Sequence, residues 1–130
     1  MTKQDFYDLY ATDPSFVADY HGNLGWTAEQ CAEDTCQNLK GLELYKSDFG
    51  YIAVKRDDLI ERLAGFFIKP DFRNSATKQR FFAIVDELLP RTHIAYIHSG
   101  NVKGIKFLAS RGQITMSDNI TTCIVFRREI

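Results

Sequence analysis

The sequence lacks the features that most quickly assign a chain to a class. It has no apolar run long enough to cross a membrane and no C-x-x-C pair. Its first residues, MTKQDFYDLY, contain no long apolar run, so we expect no signal peptide. Its three cysteines are an odd number, which cannot all pair within one chain, and its three histidines are scattered. We therefore expect reduced thiols, no metal site, no membrane partner and a cytoplasmic location.

An excess of charge of one sign is also absent. The chain has 16 Lys and Arg residues against 17 Asp and Glu residues, a formal net charge of −1. Nucleic-acid-binding domains usually have a clear basic excess, so we expect no nucleic-acid partner. With 130 residues, 45% of them hydrophobic, and no repeat or linker, the chain fits one domain spanning 1–130 with its own core.

The stretch from Arg62 to Leu89 is the part around which the chain is organised. The segment ERLAGFFIKP is almost continuously apolar, as is typical of a central strand covered on both faces, and Pro70 ends it. A helix is predicted from Ser75 to Leu89. A strand leading into a helix N-terminus forms an anion site, because unpaired N–H groups and the helix dipole act together. Three cations surround this turn: Lys69, Arg73 and Lys78.

Helices are also predicted near the N-terminus. Residues 2–20 have a helical pattern that is broken at Pro14, with Asp13 as the cap of the second piece. Thr27 opens a further helix, in which Cys31 and Cys36 are interpreted as small apolar fillers.

The remaining elements alternate between strands and one helix. Asn101 is the predicted cap of a helix that reaches Arg111, with Gly112 as its left-handed C-terminal residue. Two-residue alternation or apolar runs predict these strands: LELYKS, YIAVKR, ERLAGFFIKP after a turn at DDLI, HIAYIHS, and a final pair QITMS and ITTCIVFRREI joined at Asp118–Asn119. This order predicts a mixed α+β fold with one strand–helix–strand crossover.

The element order and two segments resemble the GNAT superfamily of acyl-CoA-dependent N-acyltransferases. In that family an Arg/Gln-x-x-Gly-x-Gly/Ala turn holds the pyrophosphate of CoA, and here IKPDF leads into the turn RNSATK at 73–78. The second segment, NVKGIKFLASRG at 101–112, is similar to the N-x-x-A-x-x-x-Y-x-x-x-G-F helix, whose Asn contacts the pantetheine arm. The resemblance covers about residues 41–130.

The resemblance implies a mostly antiparallel central sheet flanked by helices and splayed between its two central strands. It implies acetyl-CoA as cofactor and direct transfer of the acyl group, in a ternary complex, to an amine of a small molecule or of a protein lysine or N-terminus. The acceptor pocket would lie between the N-terminal helices and the Gly41–Arg56 hairpin. The residues expected to bind the cofactor are Phe67, Ile68, Arg73, Asn74, Ser75, Ala76, Thr77, Lys78, Asn101 and Phe107.

The chain departs from the family pattern at three important positions. Ala76 replaces the first glycine of the turn and Lys78 the second small residue. Leu108 stands where the family tyrosine often protonates the leaving thiolate, so that general acid is missing. A thiol leaving group of low pKa can depart without this assistance, so turnover does not require the tyrosine.

Three residues are candidates for the catalytic chemistry. Tyr96 and His98 share one face of their strand, and His98 is interpreted either as the general base or as a hydrogen-bonded histidine at a strand end. Glu61 lies close to the position where many family members have a catalytic carboxylate, although the register puts Arg62 there. Five acidic residues near the N-terminus either attract a cationic acceptor or form a solvated face: Asp5, Asp8, Asp13, Glu29 and Glu33.

A second class of function stays open from the sequence. The departures at Lys78 and Leu108 fit a GNAT-like protein that serves as an interaction or structural component. The segment GNVKGIKFL resembles a helix of small phage-encoded GNAT-like proteins, some of which are virion-associated. On either interpretation a homodimer or another protein partner stays open.

Overall fold

The central sheet determines the arrangement of all other elements. The structure is a computed structural model, which describes residues 1–56, 61–117 and 119–125. The described strands form one six-stranded sheet in the order β1-β2-β3-β4-β6-β5. Their bounds are β1 Glu43–Ser47, β2 Gly50–Lys55, β3 Arg62–Ile68, β4 His93–His98, β5 Gly112–Met116 and β6 Ile120–Val125. The predicted turn at 57–60, Asp118 and the last residues of the predicted final strand, 126–130, lie outside the described residues.

All neighbouring strands are antiparallel except β3 and β4, which are parallel. A parallel pair requires a crossover connection, and the helix α4 (Ser75–Leu88) provides it. The other helices are α1 (Lys3–Tyr10), α2 (Pro14–Ala18), α3 (Ala28–Asn38) and α5 (Val102–Ala109). The predicted α+β class and the single strand–helix–strand crossover are therefore confirmed.

The helices begin where their capping residues predict. Asp13 accepts a hydrogen bond from the Phe16 N–H, and Asn101 accepts one from the Gly104 N–H. Thr27 forms a reciprocal capping box with Gln30, so glutamine replaces the more usual glutamate without loss of the motif.

The prediction for Gly112 was wrong. Gly112 is the first residue of β5 rather than a left-handed helix cap, and α5 ends earlier, with Ser110 in a helical conformation. A Cβ at Gly112 would lie 2.6 Å from the Cys123 sulfur and 2.8 Å from the Ile124 carbonyl oxygen. The position needs glycine because β6 passes so close, not because the backbone angle is unusual.

The two faces of the sheet bury separate cores. Helices α4 and α5 pack on one face around Phe81, Val85 and Leu108, which are fully buried. Helices α1 to α3 pack on the other face, mainly over β2 and β3. Cys31 lies in this second core and Cys123 in the first, and all three cysteines are unpaired, as predicted. Within the described residues no helix is long and apolar enough to span a membrane.

A chain of hydroxyl groups runs through the second core. Tyr20 hydroxyl donates to the Asp34 carboxylate at 2.8 Å, so its oxygen accepts from Thr35, at 2.7 Å. The Thr35 oxygen then accepts from Tyr10 at 2.8 Å, and Tyr10 accepts from Tyr51 at 2.7 Å. Because a carboxylate only accepts, it fixes the direction of every bond in the chain. Burial raises the pKa of Tyr10 to about 12, so its phenol stays protonated.

Replacing Thr35 tests this network. Thr35 is buried, and Thr35→Val keeps its shape while leaving the Tyr10 hydroxyl without an acceptor. We expect a loss of about 1–3 kcal/mol in the free energy of unfolding, measured by urea denaturation. Thr35→Ser keeps the hydroxyl and should lose less. Equal stability of the valine variant and the wild type would show that the chain of hydroxyl groups contributes nothing to the free energy of unfolding.

A buried histidine makes the fold sensitive to acid. His93 is buried and its Nδ1 donates to the Arg91 carbonyl, while Nε2 has no partner among the described residues. Burial lowers the pKa of His93 below its ordinary value of about 6.5. The folded state therefore binds fewer protons than the unfolded chain once the pH falls below that value.

Stability should accordingly be complete above about pH 6.5 and fall as the medium is acidified from there. His21, whose pKa burial also lowers, contributes with the same sign. His93→Asn keeps a donor for Arg91 and removes the titrating ring. Unfolding free energies measured between about pH 7 and 5 should fall less steeply for this variant than for the wild type. An unchanged slope would contradict the role given to His93.

Candidate functional site

The two central strands, β3 and β4, separate towards their C-terminal ends. They pair at Arg62 with Ile94 and at Leu63 with Ala95, and no later pair exists among the described residues. Directly after Leu63 the pairing of β3 with β2 shifts by one residue, which leaves Ala64 as an extra residue in β3. Such a bulge bends a strand and increases its twist. The predicted splay is thus confirmed, and the space between the C-terminal ends of β3 and β4 is called the cleft below.

The cleft opens into a cavity of about 730 Å³. Its walls come from the ends of β3 and β4, the first turns of α4 and α5, and α2 with the turn that follows it. The volume lies in the range of ordinary small-molecule sites. The N-terminal helices contribute to it as predicted, whereas no residue of the Gly41–Arg56 hairpin lines it.

The backbone of β3 presents hydrogen-bonding groups to the cleft. Lys69 N–H donates to the Phe49 carbonyl at 2.7 Å, which fixes the alternation along β3. By this alternation the N–H and C=O groups of Phe67 face β2, while those of Phe66 and Ile68 face the cleft. Phe67 was expected to contact the cofactor through its backbone, but it lines the cavity with its ring, which packs in the second core.

Arg73 is engaged within the protein rather than free. Its guanidinium contacts the Asp13 carboxylate at 2.5 Å, and its Nε donates to the Ile68 carbonyl at 2.9 Å. It also lies over the Phe67 ring, 5.7 Å from the centroid. Asp13, whose other oxygen caps α2, is buried, so the pair joins α2 to the end of β3. Arg73, which was expected to bind the pyrophosphate, is therefore already engaged by Asp13 and by the Ile68 carbonyl.

Other cations of the cavity are uncommitted. Lys78 of α4 and both Lys103 and Lys106 of α5 line the cavity, and none of the three forms an ion pair with a described residue. These three ammonium groups are therefore available to pair with an anionic group in the cavity.

The first turn of α4 offers a smaller set of N–H groups than predicted. Asn74 caps the helix by accepting from the Thr77 N–H, and its carbonyl accepts from Lys78. This leaves the N–H groups of Ser75 and Ala76, which have no intrahelical acceptor at this position of a helix. Thr77 is buried and neither its side chain nor Ala76 lines the cavity, whereas Asn74 and Ser75 do.

The start of α5 forms another wall. Asn101 lines the cavity, but its side-chain oxygen caps the Gly104 N–H at 3.0 Å. Phe107 also lines it and stacks on Phe82. Leu108 is fully buried in the first core, so that position holds no polar group and does not face the cavity.

The hydrogen bonding of His98 does not suit a general base. His98 lines the cavity as predicted, and its Nδ1 accepts from the Gly100 N–H at 3.1 Å. In a neutral imidazole the proton then lies on Nε2, which is a donor. A base needs a free lone pair, and here the lone pair of Nδ1 is already used. The alternative interpretation, a hydrogen-bonded histidine at a strand end, describes this geometry better.

The other two catalytic candidates lie outside the cavity. Tyr96 shares the face of β4 with His98, but it is 52% exposed and does not line the cavity. Glu61 precedes β3 at the end where β3 and β4 are paired, and its carbonyl accepts from the Ile94 N–H at 3.2 Å. The cleft is at the opposite end of β3, about 20 Å away at ~3.3 Å per residue. The structure therefore brings neither residue to the cleft.

Sequence reasoning missed the residues that α2 and the following turn contribute. Asp19 and His21 line the cavity, together with the rings of Phe16 and Tyr20. His21 has a φ of 47°, an unusual conformation for a residue other than glycine, and its ring lies 6.4 Å from that of His98. No motif marks these residues, since they reach the cleft only through tertiary packing. Of the acidic residues singled out from sequence, Asp13 alone lines the cavity.

Known proteins give a fold but no family assignment. No protein-family model matches the sequence, and no curated protein matches it. Among solved structures, yncA from Salmonella typhimurium, a proposed acetyltransferase with its cofactor acetyl-CoA, aligns over 100% of this chain and 92% of its own, with 14% identity and a TM-score of 0.54. The chain therefore has a GNAT-like fold, as its sequence resemblance implied.

Two further structures are similar over most of their length. The PaiA N-acetyltransferase from Thermoplasma acidophilum in complex with coenzyme A covers 96% of this chain and 88% of its own, with 13% identity and a TM-score of 0.47. The alignment with the NatC complex bound to Gag peptide and CoA covers 93% of this chain and 91% of the other, with 9% identity and a TM-score of 0.45.

The Asp13–Arg73 pair provides a test of how the cavity wall is held. Asp13→Asn keeps a capping oxygen for Phe16 and removes the charge, so the change acts mainly on the ion pair. Because Asp13 is buried but Arg73 is partly exposed, we expect a loss of about 1–2 kcal/mol in unfolding free energy, between the values for exposed and for buried pairs.

A double-mutant cycle with Arg73→Gln should give a coupling above about 0.5 kcal/mol. The exposed pair Asp48–Arg80 is the matched control and should couple more weakly. Additive effects at Asp13 and Arg73 would show that the contact does not fix α2.

Proposed function

We propose that this protein is an acyltransferase that takes an acetyl group from acetyl-CoA and transfers it to an amine by direct attack. The observation that carries the proposal is the separation of β3 and β4 after Leu63, which exposes the backbone of Phe66 and Ile68 to a cavity. The fold shared with yncA supports it. The cytoplasmic location and the amine acceptor are parts of the same proposal.

The residues present fit CoA. Its phosphates are anionic, and Lys78, with the Ser75 N–H group beside it, offers charge and a hydrogen bond for them. Lys103 and Lys106 add positive charge along the α5 wall. An extended amide-containing arm can hydrogen-bond to the free edge of β3 as an added strand does. When bound, acyl-CoA supplies an acyl group activated as a thioester.

The residues of this protein mainly position the bound molecules and donate hydrogen bonds, and they contribute less as acid–base groups. The His98 Nε2–H is a donor in the cavity, and Leu108 provides no acid. Attack by a bound amine gains mainly from proximity and orientation, which a preformed cavity provides.

A second function is favoured by two observations. Arg73 is paired with Asp13, and the buried Leu108 occupies the family's acid position, as in a protein that has kept the fold for interaction or structural purposes. Such a protein, virion-associated or otherwise, would act as a homodimer or with another protein partner and would not need acetyl-CoA.

Binding of acetyl-CoA separates the two functions. At 100 times its Kd, acetyl-CoA should raise the unfolding free energy by about 2.7 kcal/mol, visible as an increase in Tm. Lys78→Gln should reduce the affinity several-fold, because the lost cation contacts phosphate, whereas Lys40→Gln on the exposed surface should not.

The salt dependence of binding gives an independent check. The affinity of the wild type for acetyl-CoA should fall as ionic strength rises. The affinity of the Lys78→Gln variant should fall less steeply. No rise in Tm with acetyl-CoA would reject the acyltransferase proposal and favour the interaction protein. Equal affinities of Lys78→Gln and Lys40→Gln would instead reject the assigned phosphate contact.

A further inference from the structure

The charge of the cavity lining is divided between its walls. Helices α4 and α5 contribute lysines, as described above, whereas α2 and the turn after it contribute two carboxylates, Asp13 and Asp19. Arg73 compensates Asp13. Asp19 is exposed, and its carboxylate forms no hydrogen bond or ion pair with any described residue. It is thus the uncompensated acidic group among the described residues that line the cavity.

Asp19 lies where β4 enters the cleft. A Cβ built on Gly100 would lie 3.4 Å from Asp19 Oδ2 and 3.0 Å from His98 Nδ1. The carboxylate and the imidazole therefore face the same small space at the C-terminal end of β4. Glycine at position 100 keeps that space open.

Aromatic residues line the same wall of the cavity as Asp19. Phe16 packs edge-on against Tyr20 at 5.7 Å and against Phe67 at 5.1 Å between ring centroids. The Tyr20 hydroxyl is committed to Asp34 and Thr35, so it is not available as a polar partner for a molecule in the cavity. Burial lowers the pKa of the neighbouring His21, which keeps it uncharged near neutral pH. This wall therefore has one uncompensated carboxylate, that of Asp19, together with several aromatic residues.

We propose that Asp19 binds the ammonium group of the acceptor, and that the acceptor is a primary monoamine with an apolar, aromatic-sized body. A carboxylate next to aromatic rings matches a cation attached to an apolar group, because the charge pairs with the carboxylate while the rings contact the body. A polyhydroxylated amine would find few polar partners on this wall. Identifying the bound amine as the acceptor rests on the proposed acyltransferase function, but binding of the amine does not.

Three probes of nearly equal shape test the charge and the body: 2-phenylethylammonium, neutral 2-phenylethanol and anionic 3-phenylpropanoate. Binding to the full chain is followed by NMR through the ring protons of His21 and His98, which lie in the cavity lining. We expect the ammonium to bind about tenfold more tightly than the alcohol, with no saturable binding of the carboxylate in this part of the cavity. A polar-bodied amine, 2-aminoethanol, should bind more weakly than 2-phenylethylammonium.

Two variants assign the effect to Asp19. Asp19→Asn should reduce the affinity for 2-phenylethylammonium about tenfold and leave that for 2-phenylethanol unchanged. Glu87→Gln removes one negative charge from the exposed surface, outside the cavity lining, and should change neither affinity. The Asp19 side chain makes no described hydrogen bond, so its replacement should leave the Tm unchanged.

The outcomes separate this inference from the proposed function. If Asp19→Asn binds the ammonium as tightly as the wild type, or the alcohol binds as tightly as the ammonium, the inference is wrong even where acetyl-CoA still raises the Tm. If the ammonium binds through Asp19 and acetyl-CoA does not raise the Tm, the amine site stands and the acyltransferase proposal fails.

Discussion

The structure depends on an unpaired stretch of backbone in the middle of its sheet. After Leu63, the groups of β3 that turn away from β2 have no neighbouring strand to bond to, because β4 has separated. An unsatisfied buried backbone group costs about 1–3 kcal/mol, so these groups need either solvent, a side chain or a ligand. Arg73 satisfies the Ile68 carbonyl. The remaining groups face the cavity, where solvent or a ligand can satisfy them.

The bulge at Ala64 and the ion pair at Asp13 act on the same strand from different sides. The bulge bends β3 at the residue where its pairing with β4 ends. Arg73 then ties the far end of β3 to α2 through Asp13. The bulge opens the sheet, and the ion pair holds α2 beside the opening. The N-terminal helices therefore become part of the cavity wall. A single arginine thus links two distant segments of the chain, the start of α2 and the end of β3.

Local patterns predicted the architecture well, and tertiary contacts explain what they missed. Capping at Asp13, Thr27 and Asn101 and the crossover helix follow from local chemistry, which acts within a few residues. The pairing of Arg73 with Asp13 joins residues 60 positions apart, and no local pattern encodes it. Glu61 was proposed because it lies close to a carboxylate position of the family, but it precedes β3 at the end that is paired with β4, away from the cleft. Asp19 lies at the end of the predicted helical stretch 2–20 and His21 directly follows it, and helical periodicity does not reveal that they reach the cleft.

The positions of the side chains show which departures from the family pattern affect the cavity. Ala76 does not line the cavity, so the absence of glycine there does not narrow it. Lys78 does line it and has no ion-pair partner among the described residues, so it adds the positive charge that Arg73, paired with Asp13, no longer offers freely. Leu108 faces the core, and its replacement by tyrosine would bury a hydroxyl there rather than supply an acid to the cleft. The electrostatics of this cavity therefore come from a lysine-lined wall and an acidic, aromatic wall, a division of charge that suits an anionic cofactor on one side and a cationic acceptor on the other.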